Sequence, residues 1–388
     1  MEFDFCFHNP TKIYFGKSAL ENLKEELKHY GKTIMLAYGK GAIKKIGLYD
    51  ELIKIFKDAN KNVVEFSGIM PNPTAAKVKE GIKLVKENNV DFILAVGGGS
   101  TMDCVKAVSM GSANDVDFWD YFYMNYNIPK KKIPFGTIVT MVGTGSEMNG
   151  GSVITNEDVK IKTGVVYPNM LPDFSILNPE YTYSLSEFQM VSGICDMMSH
   201  IMEQYFSESN EDNVSDDLSE ALMKNIIKNA YICVKNPKDY NARGNIMWAA
   251  TLALNTLISC SKKGDWEVHN IEHQISAYYD VTHGMGLAAI SPSYYRHILD
   301  YGLSKFKKFA INVFDVNPEG KTDKEIALEG IDKLEEFFKN IGATTKLSEL
   351  GVTNAEELEK IAETCFVSNG AYKVMTKEDI KTILINAI

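Results

Sequence analysis

Short apolar runs alternate with amphipathic stretches along the first half of the chain. Thr33–Tyr38 (TIMLAY) reads as a buried strand, as do 61–66 (KNVVEF), 133–140 (IPFGTIVT) and 91–96 (DFILAV), the last running into three glycines. Between them, Ala75–Asn88 places Val78, Ile82 and Val85 on one helical face. Strand–helix alternation of this kind predicts a parallel sheet with helices on both sides. A hairpin is expected over 152–166, turning at 156–158.

The pattern then changes. Pro168, Pro172 and Pro179 break regular structure, and Ser186 with Gln189 forms a capping box. From there the periodicity is helical throughout. Thr353 with Glu356 and Thr376 with Asp379 are expected to open two of the later helices. The reading is an α/β domain with a parallel, Rossmann-like sheet over 1–185, followed by an all-helical domain over 186–388.

Composition narrows the class. The chain has 388 residues, 45% hydrophobic and 24% charged, the ordinary mix of a globular protein. At this length a fold buries roughly three quarters of its surface and needs no disulfides. The net charge of −10, without a long basic run, argues against nucleic acid or an anionic membrane as partner. Six scattered cysteines, none in a CxxC, read as reduced thiols. The opening MEFDFCFHNP lacks the apolar core of a signal peptide, and no apolar run approaches membrane-spanning length. The expected compartment is the cytoplasm.

Four of the seven histidines fall between His200 and His283. Asp196 and His200 stand four apart within a helical pattern, which puts both on one face. His269 and His273 repeat the spacing, and His283-Gly284 follows ten residues later. Imidazoles with a carboxylate suit Fe(II), Zn(II) or a similar ion. A single Asp-x3-His pair is more often a surface or capping feature. Two spaced pairs and a further histidine in one helical half favour a metal site.

Gly97, Gly98, Gly99 and Ser100 follow the clearest strand and open a helix, where backbone amides and the helix dipole can receive a phosphate. The loop is not GxGxxG, since Met102 occupies the last position, and read alone it serves equally as a tight turn. A second loop, Gly143-Thr144-Gly145-Ser146-Glu147, follows another strand, and two such loops at strand ends fit a ligand cleft. After Thr33–Tyr38 comes Gly39-Lys40-Gly41, with no acid to take a ribose 2′-hydroxyl.

Taken together, these residues resemble the iron-containing (group III) alcohol dehydrogenase family, and within it the butanol dehydrogenase and aldehyde reductase branch. The resemblance runs through Pro71-Asn72-Pro73-Thr74, the GGGS loop with Asp103, GTGSE at 143–147, Asp196-x3-His200, His269-x3-His273 and His283-Gly284. It implies an N-terminal dinucleotide-binding domain and a helical domain, with the active site in the cleft between them. Asp196, His200, His269 and His283 match the family's metal ligands, and His273 a histidine near the nicotinamide. The pyrophosphate would lie on Gly97, Gly98, Gly99 and Ser100. Thr140, Thr144 and Lys162 match positions lining the cofactor, and Asn149 one near the substrate pocket. Met141-Val142 depart from the family's usual Thr-Ala. Gly39 stands where an acid accompanies NADH, so the pattern favours NADP(H) over NAD(H), with Lys40 a candidate phosphate contact.

The activity implied is metal-dependent interconversion of small aliphatic aldehydes and primary alcohols, such as butanal and butanol. One carboxylate and three neutral imidazoles would leave a divalent centre near +1, with Fe(II) expected and Zn(II) an alternative. His273 would relay the proton. Other readings on the same scaffold are glycerol dehydrogenase, whose metal set has fewer histidines, and a non-redox dehydroquinate synthase-like enzyme. The second needs basic residues that WEVHNIEHQISAYYDVTHGMG lacks, while Trp266, Tyr278 and Tyr279 point to an apolar pocket. A non-catalytic protein that binds metal and nucleotide is the reading from another class. A homodimer is expected to pair through an exposed first strand at EFDFCFH.

Overall fold

In the computed structural model, residues 1–209 and 212–388 are described. They form two compact units, His8–Leu185 and Ser186–Ile388, the second joined by Met1–Phe7.

The first unit is built on a fully parallel sheet. Its strands are β1 (Lys12–Phe15), β2 (Thr33–Tyr38), β3 (Asn62–Phe66), β4 (Phe92–Gly97), β5 (Phe135–Val139) and β8 (Phe174–Leu177), in the spatial order β1-β8-β5-β4-β2-β3. β4 and β5 have no exposed residue, as expected for strands covered on both faces. β6 (Gly151–Asn156) and β7 (Ile161–Val166) form a separate antiparallel hairpin. Helix Ala75–Asn88 has the bounds its periodicity predicts, and Thr74 caps it by accepting from the Lys77 amide. β3 lies on one side of β2 and β4 on the other. The strand order therefore reverses between β2 and β4, and the loops after them carry Gly39 and Gly97–Ser100. Such a switch point is where open α/β sheets bind ligands.

The second unit is all helical. Helix Glu187–Tyr205 starts at the Ser186–Gln189 capping box and is buried from Met190 to Tyr205. Other helices include Val214–Lys235, Tyr240–Ala253, Glu267–Tyr279, His283–Ile298, Leu303–Phe314 and Asp323–Asn340. Among the described residues no helix is long and apolar enough to cross a membrane.

Several expectations need correction. Within the single chain the segment EFDFCFH pairs with no other strand, and the Phe3 amide donates to Ser261 Oγ. β8 lies within the proline-rich stretch read as irregular, because Pro172 and Pro179 flank it rather than interrupt it. The helix expected from Thr353 begins at Ala355, capped by Asn354. The hairpin turn falls at 157–160.

Candidate metal centre and coenzyme loops

The centre starts from one buried helix. Along Glu187–Tyr205, Ser192, Asp196, Ser199, His200 and Glu203 recur at three- and four-residue steps, a polar stripe in an otherwise apolar, fully covered helix. Asp196 Oδ1 is buried with no hydrogen-bond partner. Around it stand His200 Nε2 at 3.5 Å, His283 Nε2 at 3.6 Å and His269 Nε2 at 3.8 Å. The His269 Nε2 atom likewise lacks a hydrogen bond. These separations exceed hydrogen-bonding range. Four donors about 2.1 Å from a common ion in tetrahedral array stand roughly 3.4 Å apart, so the donor set fits a divalent metal.

The ring states agree with that fit. Burial, together with the neighbouring imidazoles, pushes His200 down to about 4, leaving it neutral. Burial would raise the Asp196 carboxyl, but His200, His269 and His283 outweigh it and hold the group well below its usual range. His269 departs from the expected neutral ring. Burial lowers it, but Glu203 and Asp196 prevail and raise it.

Two carboxylates escaped the sequence reading. Glu203 Oε2 accepts from His269 Nδ1, and Glu272 Oε2 from His283 Nδ1. Both side chains are fully buried. With Asp196 they make three carboxylates, so a divalent ion leaves the cluster near −1 rather than the expected +1. Each stands three residues past a candidate ligand, Glu203 after His200 and Glu272 after His269, but a carboxylate at that spacing is too common in helices to mark either one.

His283 opens helix His283–Ile298, and the next residue explains how it gets there. A Cβ on Gly284 would lie 1.9 Å from the Ser192 carbonyl oxygen, one turn before Asp196. Only glycine lets the two helices approach this closely. His273 packs beside the centre, its ring 5.5 Å from that of His283 and 6.2 Å from that of His269. Trp266 lies 6.3 Å from the His200 ring and 5.7 Å from that of His269. The Tyr279 hydroxyl is engaged with Glu357.

In the first unit the two glycine loops touch. Gly98 precedes helix Gly99–Ala113 without a side-chain cap, and while the Thr101 and Met102 amides donate to Gly98 O, those of Gly99 and Ser100 are placed to meet an anion. A Cβ on Gly99 would fall 2.3–2.9 Å from the Thr144 side chain. The Thr140 amide donates to Gly97 O at 2.9 Å, and Lys162 is buried on β7. Asp103 holds the second loop, accepting from Ser146 Oγ (2.7 Å) and the Val153 amide (3.0 Å). Asn149 does the same. Its amide group donates to Thr144 O and Gly145 O, and its carbonyl accepts from Lys106 and Gly151. These bonds fill its capacity, so it shapes the loop. Lys106, also missed from sequence, is fully buried and donates to Ser146 Oγ, Asn149 Oδ1 and Gly151 O. Burial pushes its amine down to about 8.

At the end of β2 a cavity of about 290 Å³ is lined by Tyr38, Gly39, Lys40, Gly41, Lys44 and Ser67, among others. The Tyr38 and Tyr49 hydroxyls donate to Glu65, and Lys44 sits 3.8 Å from the same carboxylate. The two tyrosine hydroxyls, with Lys44, hold that carboxyl below its usual range, and Lys40 faces no acid among the lining residues.

Residues 10–179 match the family described as iron-containing alcohol dehydrogenase, and residues 190–388 its C-terminal counterpart. The chain belongs to the iron-containing alcohol dehydrogenase family. Within that family it falls in the butanol dehydrogenase branch. It is 43% identical to a probable NADH-dependent butanol dehydrogenase of Bacillus subtilis, over 98% of each chain. It is 33% identical to an NADPH-dependent aldehyde reductase of Escherichia coli, over 90% of this chain and 89% of the other. The crystal structure of an NADH-dependent butanol dehydrogenase from Thermotoga maritima superposes with a TM-score of 0.93 at 36% identity, covering 100% of this chain and 99% of that one.

Overpacking costs about 1–3 kcal/mol, so Gly284→Ala is expected to weaken Zn(II) binding by about tenfold or more as His283 is displaced. Competition with a chromophoric chelator measures this. Parent-like affinity would show that the close helix approach does not place His283.

Proposed function

We propose that the chain is a metal-dependent oxidoreductase that interconverts small aliphatic aldehydes and primary alcohols, such as butanal and butanol, with NADP(H). The observation that carries this is Asp196 Oδ1, buried and surrounded at 3.5–3.8 Å by three imidazole nitrogens. Family membership supplies the reaction class.

Asp196, His200, His269 and His283 hold the divalent ion. Fe(II) is the ion the family name supports, and Zn(II) suits the same donors. A bound ion supplies Lewis acidity to a carbonyl oxygen, and the nicotinamide carries the hydride. The protein's own residues do the rest. Trp266 packs its apolar ring at an angle beside two ligand rings, which suits an alkyl chain. His273, half-buried beside His283, passes the proton to the product oxygen. The amides of Gly97, Gly98, Gly99 and Ser100 take the pyrophosphate. Thr140, Thr144 and Lys162 line the coenzyme, while Asp103 and Asn149 fix the loop that presents Thr144. Residues 1–185 thus act as the coenzyme domain and 186–388 as the metal domain.

NADP(H) is preferred because Lys40 and Lys44 line the cavity where Gly39 replaces an acid. NADH is the second reading, favoured by the name of the 43% identical relative. A homodimer in the cytoplasm completes the proposal. β1 is an edge strand of its sheet, open to pairing, and all six cysteines are free.

The test follows oxidation of NADPH and of NADH with aldehydes from acetaldehyde to hexanal, before and after chelation. Activity with butanal that falls on chelation and returns with Fe(II) or Zn(II) supports the reading. Full activity in the stripped protein contradicts it. His273→Ala is expected to keep its metal while losing about a hundredfold in kcat and changing its pH–rate profile. An unchanged profile removes His273 from proton transfer. A charged hydrogen bond is worth about 1.5–3 kcal/mol, so Lys40→Ala should raise KM for NADPH by about tenfold or more while sparing NADH. A Cβ at Gly39 would lie 3.3 Å from the Ile69 carbonyl oxygen, which must give by a few tenths of an ångström, and Gly39→Asp is expected to shift preference to NADH. An unchanged ratio of the two kcat/KM values in both variants would place 2′-phosphate recognition elsewhere.

A further inference from the structure

We infer that Glu203 and Glu272 are positioning residues for the metal centre, each bracing across two helices a histidine that its own helix does not carry. This rests on the reading that Asp196, His200, His269 and His283 bind a divalent ion. Glu203 belongs to helix Glu187–Tyr205 and accepts from Nδ1 of His269 on helix Glu267–Tyr279. Glu272 belongs to that second helix and accepts from Nδ1 of His283 on helix His283–Ile298. The three helices are thereby linked in series, and each link turns an Nε2 lone pair toward Asp196 Oδ1.

The carboxylates are themselves held. Glu203 Oε1 accepts from the His269 amide at 3.2 Å and Oε2 from Ser199 Oγ at 3.2 Å. Glu272 Oε1 accepts from Ser276 Oγ. A fully buried carboxylate is costly unless its oxygens are satisfied, and here both oxygens of each are.

His200 provides an internal contrast. It shares a helix with Asp196 at four-residue spacing, so the helix alone sets their relation. Its Nδ1 is buried without a hydrogen-bond partner. The ligands that arrive from other helices are braced, and the one supplied locally is not. Fixing the back nitrogen sets the tautomer and the ring orientation of a ligating histidine, and its loss costs about 10- to 100-fold in metal affinity.

The test compares Zn(II) affinity, by chelator competition, in the parent, Glu203→Gln, Glu272→Gln and the control Glu220→Gln. Glu220 is a buried acid bonded to Tyr205 and Asn312, away from the ligand histidines. The first two variants should lose about 10- to 100-fold and the control less than about twofold. Proton NMR of the Zn(II)-loaded parent should show two protected, far-downfield imidazole N–H resonances, one of which each Glu variant removes. The inference is overturned if the parent binds Zn(II) but both variants bind as it does, or if their loss only equals that of the control. Should the variants not fold, a loaded parent without the two downfield protons overturns it equally. A parent that binds no Zn(II) at all would sink the metal reading together with this inference.

Discussion

The helical unit is organised around a cost. One carboxylate oxygen, Asp196 Oδ1, is taken out of water and given no hydrogen bond, with three imidazole nitrogens held just beyond hydrogen-bonding distance. An uncompensated buried charge costs several kcal/mol. Two more carboxylates, Glu203 and Glu272, lie behind the histidines, which makes the surroundings more negative still. A divalent cation is the counter-charge this arrangement calls for. Several otherwise odd features follow from it: a polar stripe inside a helix buried on every side, a glycine where His283 enters, and carboxylate–histidine contacts between helices in which no lysine or arginine takes part.

The α/β unit solves a different problem with similar means. Its two glycine loops sit at strand ends, and such loops are floppy unless something pins them. Lys106 and Asp103, on one helix turn, pin the second loop through Ser146, Asn149, Gly151 and Val153. The lysine does so at the expense of desolvation, which is why its amine is pushed down to about 8. Rigidity in the loop is thus obtained from a buried charge, as rigidity in the metal centre is.

Sequence patterning reaches far in this chain, but unevenly. β2 and helix Ala75–Asn88 are legible to the residue, because covered strands read as unbroken apolar runs and an amphipathic helix repeats its face. β8 was hidden, since four apolar residues between prolines carry no periodicity to distinguish strand from coil. The histidines that gather at Asp196 could be found because their residue type and spacing are unusual together. Glu203, Glu272 and Lys106 could not, because charged residues are common in helices and only the fold reveals that these three are buried. The role of Gly284 was equally invisible, since the Ser192 carbonyl it meets lies some ninety residues earlier.

The most direct measurement is anomalous scattering at the zinc edge from crystals grown with Zn(II). One strong peak about 2.0–2.2 Å from Asp196 Oδ1 and from Nε2 of His200, His269 and His283 is the result these positions require. A peak at other residues, or none within reach of Asp196, would contradict the claim that the four side chains converge on a single ion.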